Sequence, residues 1–212
     1  MNYRWTWTLS FAVIIGAASA RAADTLIFDS FTPPISFGGF SSPNNGVATQ
    51  LSNTQQLTIS RIAVLNEMLS TGDLKFVILS FPQPQFLYIS TPKSFPKDIT
   101  GQTTWKLSDP LSFTFQPGTK YLVGYLRSVA VNENVDTHAE SSAGITSDLV
   151  AHALSGYATP TYSHAFVTGA DEGVRLYVLP EPSCLLLIAG AFLIERRPHR
   201  LRPRFSLVEC SV

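Results

Sequence analysis

Through the middle of this chain, apolar residues recur at alternate positions or in short runs, and each run is cut off by Pro, Gly, Asn or Ser. That pattern belongs to many short strands joined by turns rather than to helices. The predicted strands are Leu26–Phe28, Leu57–Leu65, Leu74–Ser80, Phe86–Ser90, Thr103–Leu107, Leu111–Phe115, Tyr121–Arg127, Leu149–Leu154, His164–Thr168 and Val174–Val178. In Leu111-Ser112-Phe113-Thr114-Phe115 the alternation puts Leu111, Phe113 and Phe115 on one buried face and turns Ser112 and Thr114 to water. Gln116-Pro117-Gly118-Thr119 follows, setting proline's fixed φ beside a glycine free to take positive φ. That is the chemistry of a type II turn, so 111–127 is expected to form a hairpin-like pair.

A short helix competes only over Arg61–Leu69, where Ile62, Leu65 and Leu69 share helical spacing. The period-two run Leu57-Thr58-Ile59-Ser60 that leads into it favours a strand for its first half. Loops are expected at Thr32–Asn45, Pro82–Pro84, Pro92–Pro96 and Asn132–Ser147. The expected fold is therefore all-β, an antiparallel two-sheet sandwich of jelly-roll-like type.

Composition changes the picture in two ways. The chain has 212 residues, 14% charged, and a formal net charge of zero, but its ends are basic. Asp24–Leu179 carries 12 acids against eight bases, a net charge of −4, which excludes an electrostatic appetite for nucleic-acid phosphates. Both cysteines, Cys184 and Cys210, lie in the C-terminal segment, so disulfides cannot staple the middle region and apolar burial must hold it together.

Candidate chemistry is sparse. Asp136-Thr137-His138-Ala139-Glu140 would aim Asp136, His138 and Glu140 to one side if extended, a half-site for a metal that His152 and His164 could complete. Asp171 and Glu172, with Asp29, form a comparable group for calcium. A solvated loop is the commoner reading of both, and no cofactor is called for. No G-x-S-x-G elbow is present and no thiol remains between residues 23 and 179, so an enzyme is not expected, with a secreted hydrolase as an alternative because triads assemble from distant residues. Phe81, Phe86, Tyr88, Phe95 and Trp105 cluster in sequence between proline-rich loops. Of these, Trp105, Tyr88 and Phe86 are the candidates for an aromatic platform on which a glycan could stack, and the carbohydrate-binding module is the first alternative function.

The ends of the chain say where it goes. Arg4, the apolar run Leu9–Ala17 and the small-x-small sites Ala18-Ser19-Ala20 and Ala20-Arg21-Ala22 read as a secretory signal peptide over residues 1–22. At the other end stand Pro180-Glu181-Pro182, the apolar block Ser183–Ile194, and Arg196-Arg197. The prolines can continue neither a strand ladder nor a helix, and the arginines suit the cytoplasmic side of a membrane. The block spans roughly 18 Å as a helix against a hydrocarbon core of about 30 Å.

Residues 180–200 resemble a PEP-CTERM sorting signal: Pro180, Glu181 and Pro182, then a Leu-rich hydrophobic helix, then Arg196 and Arg197. The resemblance implies an exported protein of a Gram-negative bacterium, held transiently in the inner membrane through residues 183–194. An exosortase then processes it, and it is released or attached at the cell surface, often beside exopolysaccharide. The pattern of Leu111–Leu126, a strand, then Pro-Gly-Thr, then a Tyr-led strand, is similar to the choice-of-anchor class of β-sandwich modules that precede such signals. The expected organisation is a signal peptide over 1–22, a β-sandwich domain over 23–179, a sorting signal over 180–200 and a basic tail over 201–212. The expected function is structural or adhesive, with the exosortase and exopolysaccharide as partners and nucleic acid excluded.

Overall fold

The computed structural model describes residues 23–31 and 36–179. The expected signal peptide, sorting signal, hydrophobic helix and basic tail lie outside the described residues. The first strands are β1 (Thr25–Asp29), β2 (Ser36–Ser41), β3 (Asn45–Asn53), β4 (Leu57–Met68) and β5 (Gly72–Phe81). Next come β6 (Phe86–Ile89), β7 (Lys93–Phe95), β8 (Thr104–Leu107), β9 (Phe113–Phe115) and β10 (Lys120–Arg127). The last are β11 (Val131–Asp136), β12 (Ser141–Ser142), β13 (Ile145–Ser155), β14 (Thr161–Thr168), β15 (Asp171–Glu172) and β16 (Val174–Val178). There is no helix among the described residues.

All pairings are antiparallel and build two sheets. Sheet A runs β1-β16-β4-β11-β15, with β2 on β11 and β8 and β9 on β4; sheet B runs β12-β13-β3-β10-β5-β6, with β14 on β13 and β7 on β5. The sheets face each other across one core. Phe28, Ile62, Val64, Met68, Phe115 and Leu176 of sheet A belong to the same buried cluster as Val47, Leu51, Phe76, Ile78, Val123 and Tyr125 of sheet B. This is a β-sandwich-like arrangement.

The run with helical spacing is strand as far as Met68, because both faces of β4 are covered. Ile62 and Val64 enter the core, while Ala63 and Leu65 on the other face are also buried. A strand covered on both sides need not alternate, so apolar residues fall at i and i+3 by coincidence.

The expected hairpin over 111–127 is corrected. The turn forms, with Gly118 at φ 71° and the Thr119 N–H donating to the Gln116 carbonyl at 3.3 Å. The strands on either side of it, however, do not pair: β9 joins β4 in sheet A, and β10 lies between β3 and β5 in sheet B. The turn is a crossing between the sheets. Phe115 and Tyr121 both belong to the shared core, and burying both rings requires the chain to fold over rather than lie flat in one sheet. The Gln116 N–H donates to the Tyr121 hydroxyl at 3.0 Å, a tyrosine corner that fixes the bend. Gly124 follows from close packing: a Cβ there would lie 2.0 Å from the Val47 carbonyl oxygen of β3.

The two expected loops Thr32–Asn45 and Asn132–Ser147 are corrected in part, since the first contains β2 and the second contains most of β11, all of β12 and the start of β13, and Lys93–Phe95 of the expected loop Pro92–Pro96 forms β7.

The sandwich has two distinct ends. Thr25 pairs with Val178, and Val178 with Ile59, so the chain enters and leaves the domain side by side. Leu57–Phe115 and Asn53–Ile145 belong to this end. Met68–Val131 and Asn45–Ser155 belong to the other.

Candidate cleft at the far end of the sandwich

On β10 the core face is taken by Tyr121, Val123 and Tyr125, and the same alternation carries Arg127 inward at the end of the strand. Arg127 is 3% exposed, and a guanidinium cannot be buried there alone. Glu133 of β11, 6% exposed, supplies the countercharge: Arg127 Nη1 donates to Glu133 Oε1, while Arg127 Nε donates to the Ser42 carbonyl at 3.1 Å. The pair is the floor of a cleft of about 400 Å³ between the ends of β2, β3, β13 and β14. Ser41, Asn45, Ser155, Ser163 and His164 line its walls. A bulge makes this lining possible, because β14 pairs Tyr162 with Leu154 and His164 with Ala153, leaving Ser163 as the extra residue. Ser163 Oγ and His164 Nδ1 are 2.8 Å apart.

Polar groups continue inward behind the ion pair. Asn66 is the cross-strand partner of Glu133 and is fully buried, with no hydrogen bond at Nδ2 or Oδ1. Its amide lies beside the Tyr125 hydroxyl without reaching bonding geometry. Burial pushes the Tyr125 hydroxyl well above its usual range; the Glu133 and Glu172 carboxylates add to this, against the opposing pull of Arg127 and Asn66. Tyr125 therefore remains a neutral hydroxyl. The floor combines a neutralised charge pair with amide and hydroxyl groups that have hydrogen-bonding capacity to spare, which suits holding a polar, uncharged molecule.

The aromatic residues picked out in the sequence are dispersed. Trp105 of β8 sits opposite Leu65 on the outer face of sheet A. The Arg175 guanidinium lies 3.9 Å from its ring centroid, and Phe31 meets it edge-on at 6.3 Å. Its open face is thus already stacked. Phe86 and Tyr88 are on sheet B, where a bulge between their pairings with Leu79 and Ile78 separates them. Phe86 packs with the outer cluster of sheet B and Tyr88 with the core. Phe95 meets Phe76 of the core, and Phe81 meets His152. Trp105, Tyr88 and Phe86 lie on three different surfaces and make no common platform, a correction to the expectation from sequence proximity.

The expected metal half-site is local. Asp136 ends β11 and is 3% exposed, and its Oδ1 accepts from the His138 N–H and contacts His138 Nδ1, both at 2.9 Å. The backbone turns away there, so the extended geometry that would align Asp136, His138 and Glu140 is not formed. His152 and His164 lie on β13 and β14, in the other sheet. Asp29 pairs with Arg175 at 2.7 Å. No group of three or more metal-ligating side chains occurs among the described residues.

His152 anchors a second polar network, on the outer face of sheet B. Leu149 takes φ 52° in a bulge of β13. Beside it Asp148 accepts from Gln50 Nε2 at 2.6 Å, Ser52 Oγ at 2.7 Å and Lys120 Nζ at 2.8 Å. With its amide nitrogen on Asp148, Gln50 offers Oε1 to His152 Nε2 at 3.1 Å, so Nε2 carries the proton. Nδ1 then accepts from the Tyr162 hydroxyl at 3.1 Å. Burial lowers the imidazole pKa, in keeping with this neutral tautomer. The network holds the bulge against the sheet.

No protein-family model matches the chain, and a comparison with curated proteins finds no match either.

Proposed function

We propose that this chain is an exported, non-enzymatic protein of the Gram-negative cell envelope or extracellular matrix. Its jelly-roll-like sandwich would be tethered transiently through residues 183–194 and processed by an exosortase near Pro180-Glu181-Pro182, its role then being adhesion or association with exopolysaccharide. The observation that carries this reading is the order Pro-Glu-Pro, apolar block and Arg196-Arg197 in a chain that also begins with a secretory signal pattern. The last described residues are in keeping with it: β16 stops at Val178 and Leu179, which precedes Pro180 in the sequence, is 60% exposed. Expression in an exosortase-bearing host, with the mature C-terminus determined by mass spectrometry, tests the reading. Cleavage near Pro180–Pro182 is expected, and a product ending at Val212 would refute it.

A further inference from the structure

The geometry points to the far-end cleft as a hydrogen-bonding site for a neutral saccharide of one or two rings, recognised by the Arg127–Glu133 pair. Five observations converge on this ligand. Arg127 and Glu133 cancel each other's charge, so an ionic ligand would lose its hydration there without gaining a net countercharge. Their contact uses Nη1 and Oε1, and Nη2 and Oε2 lie outside it, a fixed donor beside a fixed acceptor. Neighbouring sugar hydroxyls, each both donor and acceptor, match such a couple. The walls add the hydroxyls of Ser41, Ser155 and Ser163, the amide of Asn45 and the imidazole of His164, and none of the described lining residues is Phe, Tyr or Trp, so recognition is by hydrogen bonds rather than on an aromatic platform. The volume, about 400 Å³, lies in the range of small-ligand sites. Behind the pair, Asn66 keeps unspent donors and acceptors in a fully buried place, the arrangement found where polar groups serve a ligand rather than the fold alone.

The cleft also faces a definite way. Val178 pairs with Ile59 and Glu133 with Asn66, seven residues further along β4, or about 23 Å. Thr25 and Val178 leave together from the near end. While the chain is held by its C-terminal segment, the cleft is carried away from the membrane, toward whatever glycan lies outside. This orientation rests on the proposed anchoring; the chemistry of the cleft does not.

The test is isothermal titration of the full-length chain with glucose, galactose, mannose, N-acetylglucosamine, maltose and cellobiose, and with glucuronate and glucose 6-phosphate as charged counterparts. At least one neutral sugar is expected to bind. Ser163→Trp, at an exposed position on the rim, is expected to weaken it at least about tenfold by filling the mouth. The double variant Arg127→Met/Glu133→Leu, which leaves no unpaired buried charge, is expected to abolish binding while retaining the fold. Trp105→Ala is expected to bind as wild type. Absence of neutral-sugar binding overturns the inference. So does a preference for the charged sugars that fades with salt, or binding that survives Ser163→Trp but not Trp105→Ala. The mature C-terminus is read separately by mass spectrometry, so failure of the sorting proposal and failure of the cleft are distinguishable.

Discussion

Phe115 and Tyr121 stack face to face, their ring centroids 4.4 Å apart and their planes 12° apart, although one belongs to sheet A and the other to sheet B. The stack closes the crossing between the sheets, and the Tyr121 hydroxyl ties it to the Gln116 N–H. Tyr121→Phe keeps the stack and loses that bond, and is expected to cost about 1 kcal/mol. Tyr121→Ala removes both and leaves a cavity, with an expected cost of about 3–5 kcal/mol. Urea unfolding midpoints measure both. Equal losses in the two variants would mean that the stack contributes little.

The Arg127–Glu133 pair makes a different kind of prediction. Removing either partner alone, as in Arg127→Met or Glu133→Leu, leaves one buried charge without its counterion and is expected to cost about 3–5 kcal/mol. Replacing both together is expected to be near neutral, so the two single losses do not add. Thermal unfolding of the two single variants and the double variant forms the cycle. Additive losses would show that each group acts through contacts other than the other.

Stability is expected to fall with acidity in two steps. His152 is buried and its folded pKa is lowered, so the unfolded chain takes up a proton before the folded one does. Stability from the neutral imidazole is complete above the unfolded value of 6.5 and is lost as pH falls below it toward the lowered folded value. Asp98 and Asp148 add the second step. Burial works to raise both carboxyls, but the Lys106 ammonium, the Met68 N–H and Thr104 outweigh it at Asp98, and Gln50, Lys120 and Ser52 outweigh it at Asp148, so both are lowered. Their contribution is present above the unfolded value of 3.8 and is lost as pH falls through the folded values. Denaturation midpoints from about pH 7.5 down to about pH 3 should show both steps, and His152→Gln should flatten the first. A midpoint that stays level between about pH 7 and about pH 5 in the wild type contradicts the assignment.

What the sequence could and could not show follows from how each residue is used. Strands with a clean apolar face, such as Leu74–Ser80 and Val174–Val178, were legible because their pattern is local. β3 was not, although it is a central strand of sheet B. Its sequence NGVATQLSN intersperses Val47 and Leu51 with Thr49, which enters the interior to bond the Glu172 backbone, and with Gln50, which serves His152. Polar residues with long-range partners look like loop until those partners are known. The crossing at Gln116–Thr119 was legible as a turn but not as a change of sheet, because turn chemistry is the same in either case. The aromatic platform failed because closeness in sequence says nothing about which face a ring occupies after a bulge. The cleft did leave one trace: Arg127 continues the inward register of Tyr121, Val123 and Tyr125. A charge in a core register announces a buried partner, though nothing local names Glu133.

Trp105 and Arg175 can be checked spectroscopically. Arg175 covers the indole at 3.9 Å while its Nε holds Asp29 at 2.7 Å. Arg175→Ala uncovers the ring and should shift its emission to longer wavelength and raise its quenching by acrylamide, with a stability loss of about 1 kcal/mol. An unchanged spectrum would mean that the guanidinium is not held over the ring in solution.

The pairing of Thr25 with Val178 makes the domain boundary testable independently of any processing enzyme. β16 lies between β1 and β4, and Val174 and Leu176 are wholly buried in the core. A chain of residues 23–179 keeps all of these contacts and should unfold cooperatively, since every strand of sheet A among the described residues lies within it. A chain of residues 23–173 loses both core side chains and strands β1 without its neighbour. The loss of two buried aliphatic side chains alone is expected to cost several kcal/mol, at about 2–5 each for truncation to Ala, comparable with the whole stability of a domain this size. Circular dichroism with urea titration separates the two. If 23–179 failed to fold, residues beyond Leu179 would belong to the domain, and removal at Pro180–Pro182 would unfold the protein it is proposed to release.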